Sequence, residues 1–213
     1  MNISITIPQI FYDIIARVFP GYIFVFVLKV ELLGTGVNIT NILDNGANNS
    51  VDKLLNGIGF LIICYFIGWI LNAFTFLSYE EDVKKIHEEK LKTKNKSISF
   101  YEMYHTIRLK NATEGFRIIK LRAEARMLET SRTGMIIILF CSVCIMFITK
   151  PSFCWNLIDI SFLIWIGKLI LPFVLFIGFR KSEKSAWNRY YGNISSCYEL
   201  IIKMPNNSAA SDS

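Results

Sequence analysis

The chain has 213 residues, 53% of them hydrophobic and 19% charged, with a formal net charge of +6 and a mean hydropathy of +0.40. Soluble domains carry about 25% charged residues, and here the apolar excess is gathered into long runs, not periodic stripes; this disfavours a soluble enzyme and predicts an all-α integral membrane protein. Thirteen of the 23 Lys and Arg lie between Tyr79 and Thr133 and five follow Phe179, so the basic balance reports membrane orientation before it reports nucleic acid.

The first element, residues 1–33, contains DIIARVFPGYIFVFVLKVE, in which only Val18 to Leu28 are free of charge. A bilayer crossing needs about 20 apolar residues in a helix. The Pro20–Gly21 pair therefore predicts a helix break. An interfacial helix would run through Phe19, holding Asp13 and Arg17 at the headgroups in the favourable i,i+4 order. Pro20 would then open the membrane helix at its first turn, where its missing N–H does no harm. No Lys or Arg precedes Arg17 and no small-residue cleavage site follows, so the segment is expected to stay attached.

A Gly- and Asn-rich loop, residues 34–53, leads to the second span, residues 54–79, which carries no charge. Gly57, Gly59 and Gly68 within it could admit close helix packing. Residues 80–132 form a basic helical region. EEDVKKIHEEKLK is expected to continue the second span as a charged helix, and KTKNKS breaks it. Ser99-Phe100-Tyr101-Glu102 matches a capping box, which starts a new helix at Ser99. TEGFRIIKLRAEARMLETSR then repeats apolar residues at helical spacing and runs into the third span, residues 133–149.

Pro151 stops that helix, and the short loop 150–159 makes the third and fourth spans an antiparallel hairpin. The fourth span, residues 160–179, contains Lys168 and Pro172. In the tail, residues 180–213, Arg180 and Lys181 anchor the span, Trp187, Tyr190 and Tyr191 suit the headgroup level, and the final residues are expected to be disordered. Four spans satisfy the positive-inside rule with both termini cytoplasmic and residues 34–53 and 150–159 outside. That assigns a bacterial inner-membrane, multi-pass location.

Candidate chemistry is sparse. His87 and His105 are 18 residues apart, Cys141 and Cys144 lie in an apolar run, and no G-x-S-x-G, H-E-x-x-H or phosphate-cradling loop occurs. No catalytic residue, cofactor or metal follows, and no small-molecule substrate. Lys168 lies about eight residues, or ~12 Å, inside its span. It either snorkels to the outer headgroups, or lines a water-filled path or pairs with Glu31. Pro172, one turn on, would kink the helix and free a carbonyl near that charge. Glu31, Lys168 and Pro172, with the break at Pro20 and Gly21, are the candidate path. The basic positions Arg117, Lys120, Arg122 and Arg126 are the candidate contact for a cytosolic protein or nucleic-acid partner.

The stretches IPQIFYDIIARVFPGYIF and FRIIKLRAEARMLETSR, about 35 residues together, resemble small multi-span proteins of bacterial defence islands, among them the transmembrane effectors of retrons and the membrane component of Kiwa. The resemblance implies an inner-membrane effector that disrupts membrane integrity or potential on phage infection, causing abortive infection. In the retron case a reverse transcriptase and its RNA–DNA product would hold it inactive. A conducting path built from four helices also implies a homo-oligomer or a rearrangement. Two other readings stand beside this one: a non-toxic scaffold or phage sensor that anchors a soluble partner through residues 80–132, and a small channel or transporter.

Overall fold

The structure, a computed structural model, describes residues 6–32, 50–75, 78–92, 98–149 and 160–203. Among these residues the chain is entirely helical: α1 (Thr6–Leu32), α2 (Ser50–Ala73), α3 (Glu80–Lys92), α4 (Phe100–Lys110), α5 (Ala112–Thr149) and α6 (Ile160–Lys203). Among the described residues three segments are long and apolar enough to cross a membrane, Ile10–Leu32, Lys53–Ala73 and Ala112–Ile145. The fourth expected span is the first half of α6, whose described side chains begin at Ile166. Residues 34–49, 93–97, 150–159 and 204–213, which the sequence reading assigned to loops and a disordered end, lie outside the described residues.

The helix boundaries correct three expectations. First, α1 is a single helix through Pro20 and Gly21, so the break expected there is absent. Pro20 cannot donate to the carbonyl of Ala16, which costs one helical hydrogen bond. The turns on both sides are held by packing against α2, as described below. Second, α2 begins at Ser50 and stops at Ala73, and α3 is a separate helix starting at Glu80. The end of α2 is closed locally, with the Phe74 amide donating to the Leu71 carbonyl at 3.1 Å and the Thr75 hydroxyl to the Asn72 carbonyl at 2.9 Å. The Glu80 amide then donates to Ser78 Oγ at 3.1 Å as α3 begins. Third, α6 continues through Pro172 and past the expected end of the span to Lys203, 44 residues in all.

Two expectations hold as written. Ser99 caps α4 reciprocally with Glu102: the Glu102 amide donates to Ser99 Oγ at 3.2 Å and the Ser99 amide to Glu102 Oε2 at 3.1 Å. The helix starting at Ala112 also runs without interruption into the third apolar run.

The chain divides into two compact units. Unit 1 comprises residues 1–12, 78–125 and 184–213; unit 2 comprises residues 13–77 and 126–183. Unit 1 is built on an aromatic core. Trp187, Tyr190 and Tyr191 of α6 are buried, with Phe100 of α4 4.8 Å from the Tyr191 ring and Trp187 stacked on Tyr191 at 6.1 Å. Val83 and Leu91 of α3, Met103 and Ile107 of α4, and Ile118 of α5 complete it. This corrects the headgroup assignment of Trp187, Tyr190 and Tyr191. They lie one turn apart on one face of a helix and form a protein core, not a lipid belt.

Unit 2 holds four helical segments whose contacts fix their directions. Along α1, Arg17 meets Gly68 and Gly21 meets Cys64 of α2, so these two helices are antiparallel. Phe24 meets Gly134 and Glu31 meets Ser142 of α5, so α1 and α5 are parallel. Arg132 of α5 pairs with Glu183 of α6, while Glu31 meets Lys168, so α6 runs opposite to α5. The result is an up-down-up-down arrangement.

Candidate functional site: two polar clusters separated by an apolar layer

Along α5 the buried residues of unit 2 fall into three levels. At the end carrying the C-terminus of α2, α5 is enclosed on every side: each residue from Glu129 to Met135 is buried. Five of the seven are polar or charged. Arg132 Nε lies 3.0 Å from Glu183 Oε2, with the side chains 3% and 0% exposed. Arg126 Nη1 lies 3.5 Å from Glu129 Oε2, and the Thr130 hydroxyl donates to Asn72 Oδ1 at 3.4 Å. Opposite charges thus sit together in low dielectric, the only way such groups are tolerated away from water.

The middle level is apolar. Val27 of α1 and Met135 and Ile138 of α5 are fully buried, and Ile23, Phe24, Leu171, Leu175, Phe176 and Phe179 pack around them. Gly134 lies just below, where a Cβ would stand 3.2 Å from the Phe24 ring and 3.3 Å from Leu71.

The far level holds Glu31, Ser142 and Lys168. Glu31 is 5% exposed; Ser142 Oγ donates to its Oε2 at 3.1 Å, while its Oε1 makes no hydrogen bond to the described residues. Lys168 Nζ donates to the Glu31 carbonyl oxygen at 2.8 Å. That carbonyl is in the last turn of α1, where carbonyls lack intrahelical donors and the helix dipole favours a cation. Pro172 is buried one turn along α6, and its missing N–H leaves without a helical donor the carbonyl of Lys168 itself. The expected triad of Glu31, Lys168 and Pro172 is therefore brought to one end of unit 2, with Lys168 meeting the Glu31 main chain. Ten positions along α5 separate Arg132 from Ser142, about 15 Å of helix axis.

Other expected residues are dispersed. Gly21, read as part of a break, instead permits contact: a Cβ on it would overlap the Cys64 carbonyl, and one on Gly68 would overlap the Arg17 carbonyl. Gly57 and Gly59 have nothing within 4 Å. Arg17 is held by Asp13 at 3.0 Å and donates to the Tyr65 hydroxyl at 3.0 Å. At about 100° per residue, Arg117 and Lys120 share one face of α5 and Arg122 and Arg126 the opposite one. These four basic positions therefore do not form one surface. Arg117 is 3.7 Å from Glu114, and Arg126 joins the buried cluster.

In unit 1, His87 Nε2 lies 3.3 Å from Asn188 Oδ1, and its ring is 6.1 Å from Tyr191. Burial lowers the His87 pKa below the ordinary 6.5, opposed by the Asn188 hydrogen bond and assisted by Lys90. Tyr191 is pushed up, first by burial and then by Glu80, to which its hydroxyl donates at 3.3 Å. Burial also raises the Cys197 thiol, which donates to Glu114 at 3.5 Å, so it is not an activated nucleophile. Among the described residues no group of three His, Cys, Asp or Glu could hold a metal ion.

Sequence reasoning missed the Arg132–Glu183 pair, although its signal was present. In the sequence reading the third and fourth apolar runs form a hairpin; Arg132 immediately precedes one and Glu183 follows the other by four residues, which would put both at one level. No family model, no curated protein and no solved structure matches the chain.

Proposed function

We propose that this chain is a membrane-embedded effector whose four-helix unit is closed at rest and breaches the permeability barrier when opened. The observation that carries this reading is the layering of unit 2: two buried polar clusters with an apolar layer of Val27, Met135 and Ile138 between them. Hydrophobic constrictions of this kind block water and ions until the surrounding helices move apart. Charged groups inside a membrane bundle are costly and mark pathways or switches. Stripes of exposed apolar side chains suit a lipid setting, such as Ile10, Ile14, Phe19, Tyr22 and Phe26 on α1 and Ile166, Ile170, Phe173 and Ile177 on α6. In this reading the fourth span is the first half of α6 and residues 80–132 are cytosolic.

We assign this activity to bacterial antiphage defence at the inner membrane, a reading supported by the resemblance of the residues quoted above to retron and Kiwa membrane proteins. Control would come from a cytosolic partner, in the retron case a reverse transcriptase with its RNA–DNA product that would hold the chain inactive until infection. The scaffold reading is favoured by one observation, the separate aromatic core of unit 1, which presents Tyr101 and Leu109 outward beside Arg108 and Lys110.

Inducible expression of the chain alone, with its genomic neighbours, and with neighbours plus phage separates the two while membrane potential is followed. The effector reading predicts depolarisation on infection. Cells that stay polarised in every case would refute it and leave the scaffold.

A further inference from the structure

Building on the permeability reading, we propose that the Arg132–Glu183 pair is the latch that holds the apolar layer shut, and that parting it is the opening step. The pair is placed at the edge of that layer on both helices. Met135 lies three residues beyond Arg132 on α5, and Phe179 lies four residues before Glu183 on α6; both side chains belong to the apolar level. Arg126 and Glu129, by contrast, are three residues apart on α5 and pair along that helix. The Thr130 contact to Asn72 is a neutral hydrogen bond of 3.4 Å, a weaker tie to α2.

The α5 backbone at the latch is built to yield. Three hydroxyls donate to carbonyls four residues earlier: Thr130 to Arg126 at 2.8 Å, Ser131 to Met127 at 2.8 Å, and Thr133 to Glu129 at 3.1 Å. Such back-bonding weakens the ladder and bends helices, and Gly134 follows directly. A buried ion pair adds little net stability over apolar residues, but removing one partner strands the other charge. The latch is therefore bistable: closed while paired, and driven toward water once either group is engaged elsewhere.

The test is amide hydrogen exchange over residues 135–142 of the full chain in lipid nanodiscs, for wild type, Glu183→Gln, Arg132→Gln and the double swap Arg132→Glu with Glu183→Arg. Loss of one partner is expected to speed exchange there about tenfold or more, as water reaches the layer. The swap should return it to within about threefold of wild type. Equal exchange in all four proteins, or a swap no better than the single variants, overturns the latch. The same proteins in vesicles under an imposed potential separate the two ideas. Faster exchange with the potential retained keeps the latch and refutes the permeability reading.

Discussion

Lys168 and Glu31 meet through a side chain on one helix and a carbonyl on the other, the ammonium nitrogen lying 2.8 Å from the main-chain oxygen in the last turn of α1. Lys168 thereby caps the end of α1, while the Glu31 carboxylate takes a hydrogen bond from Ser142. Replacing Lys168 with Leu leaves that carbonyl without its donor. The expected cost is about 1.5–3 kcal/mol, the worth of a hydrogen bond from a charged group. Lys168→Arg should retain most of the stability. Thermal unfolding in detergent checks this, and a Leu variant that melts with wild type would mean that Lys168 snorkels instead.

The crossing of α1 and α2 depends on two glycines and not on the other two. Gly21→Leu or Gly68→Leu forces a side chain into a carbonyl of the opposing helix and should destabilise by about 3 kcal/mol, the upper range for overpacking. Gly57→Leu and Gly59→Leu face open space and should leave the melting temperature within error or raise it. A destabilised Gly57 variant beside an unaffected Gly21 variant would reverse the assignment.

The capping box at the start of α4 gives a third prediction. Ser99→Ala removes the acceptor for the Glu102 amide and should cost about 1 kcal/mol, with Ser99→Asp nearly neutral. Chemical denaturation followed by tryptophan fluorescence reads this directly, since Trp187 is buried in the same unit. Equal loss in both variants would place the effect elsewhere.

His87 makes unit 1 sensitive to acid. Its folded pKa lies below the unfolded 6.5, chiefly because burial penalises the charged ring. The unfolded chain therefore binds the proton more readily, and stability rises with pH across the interval between the two values. The contribution is complete above about pH 6.5 and shrinks as pH falls below it. His87→Gln should flatten the difference in unit 1 stability between pH 7.5 and 5.5 relative to wild type. A slope unchanged by the substitution would assign the acid response to other groups.

How far the sequence reached depends on whether a feature is local. The Ser99 cap, the continuity of α5 and the placing of Glu31 and Lys168 at one end follow from spacing, run length and charge asymmetry, all readable along the chain. Pro20 misled because proline marks a break only where nothing else holds the helix, and Gly21 packed against α2 holds this one. Trp187, Tyr190 and Tyr191 misled because amphipathic aromatics suit a headgroup belt and a small protein core equally well; the contacts of α3 and α4 decide between them. The Arg132–Glu183 pair needed the hairpin geometry applied to charges flanking the spans as well as to residues inside them.

The central claim, that an apolar layer between two polar clusters is the closed barrier, is tested most directly by wetting that layer. The full chain carrying Ile138→Asn, reconstituted in vesicles of bacterial lipid under an imposed potassium potential, is compared with wild type using a potential-sensitive dye. The account predicts that wild type holds the potential and that the variant, inserted to the same extent and equally helical, collapses it within minutes. A variant that inserts and folds like wild type yet leaves the potential intact would contradict it.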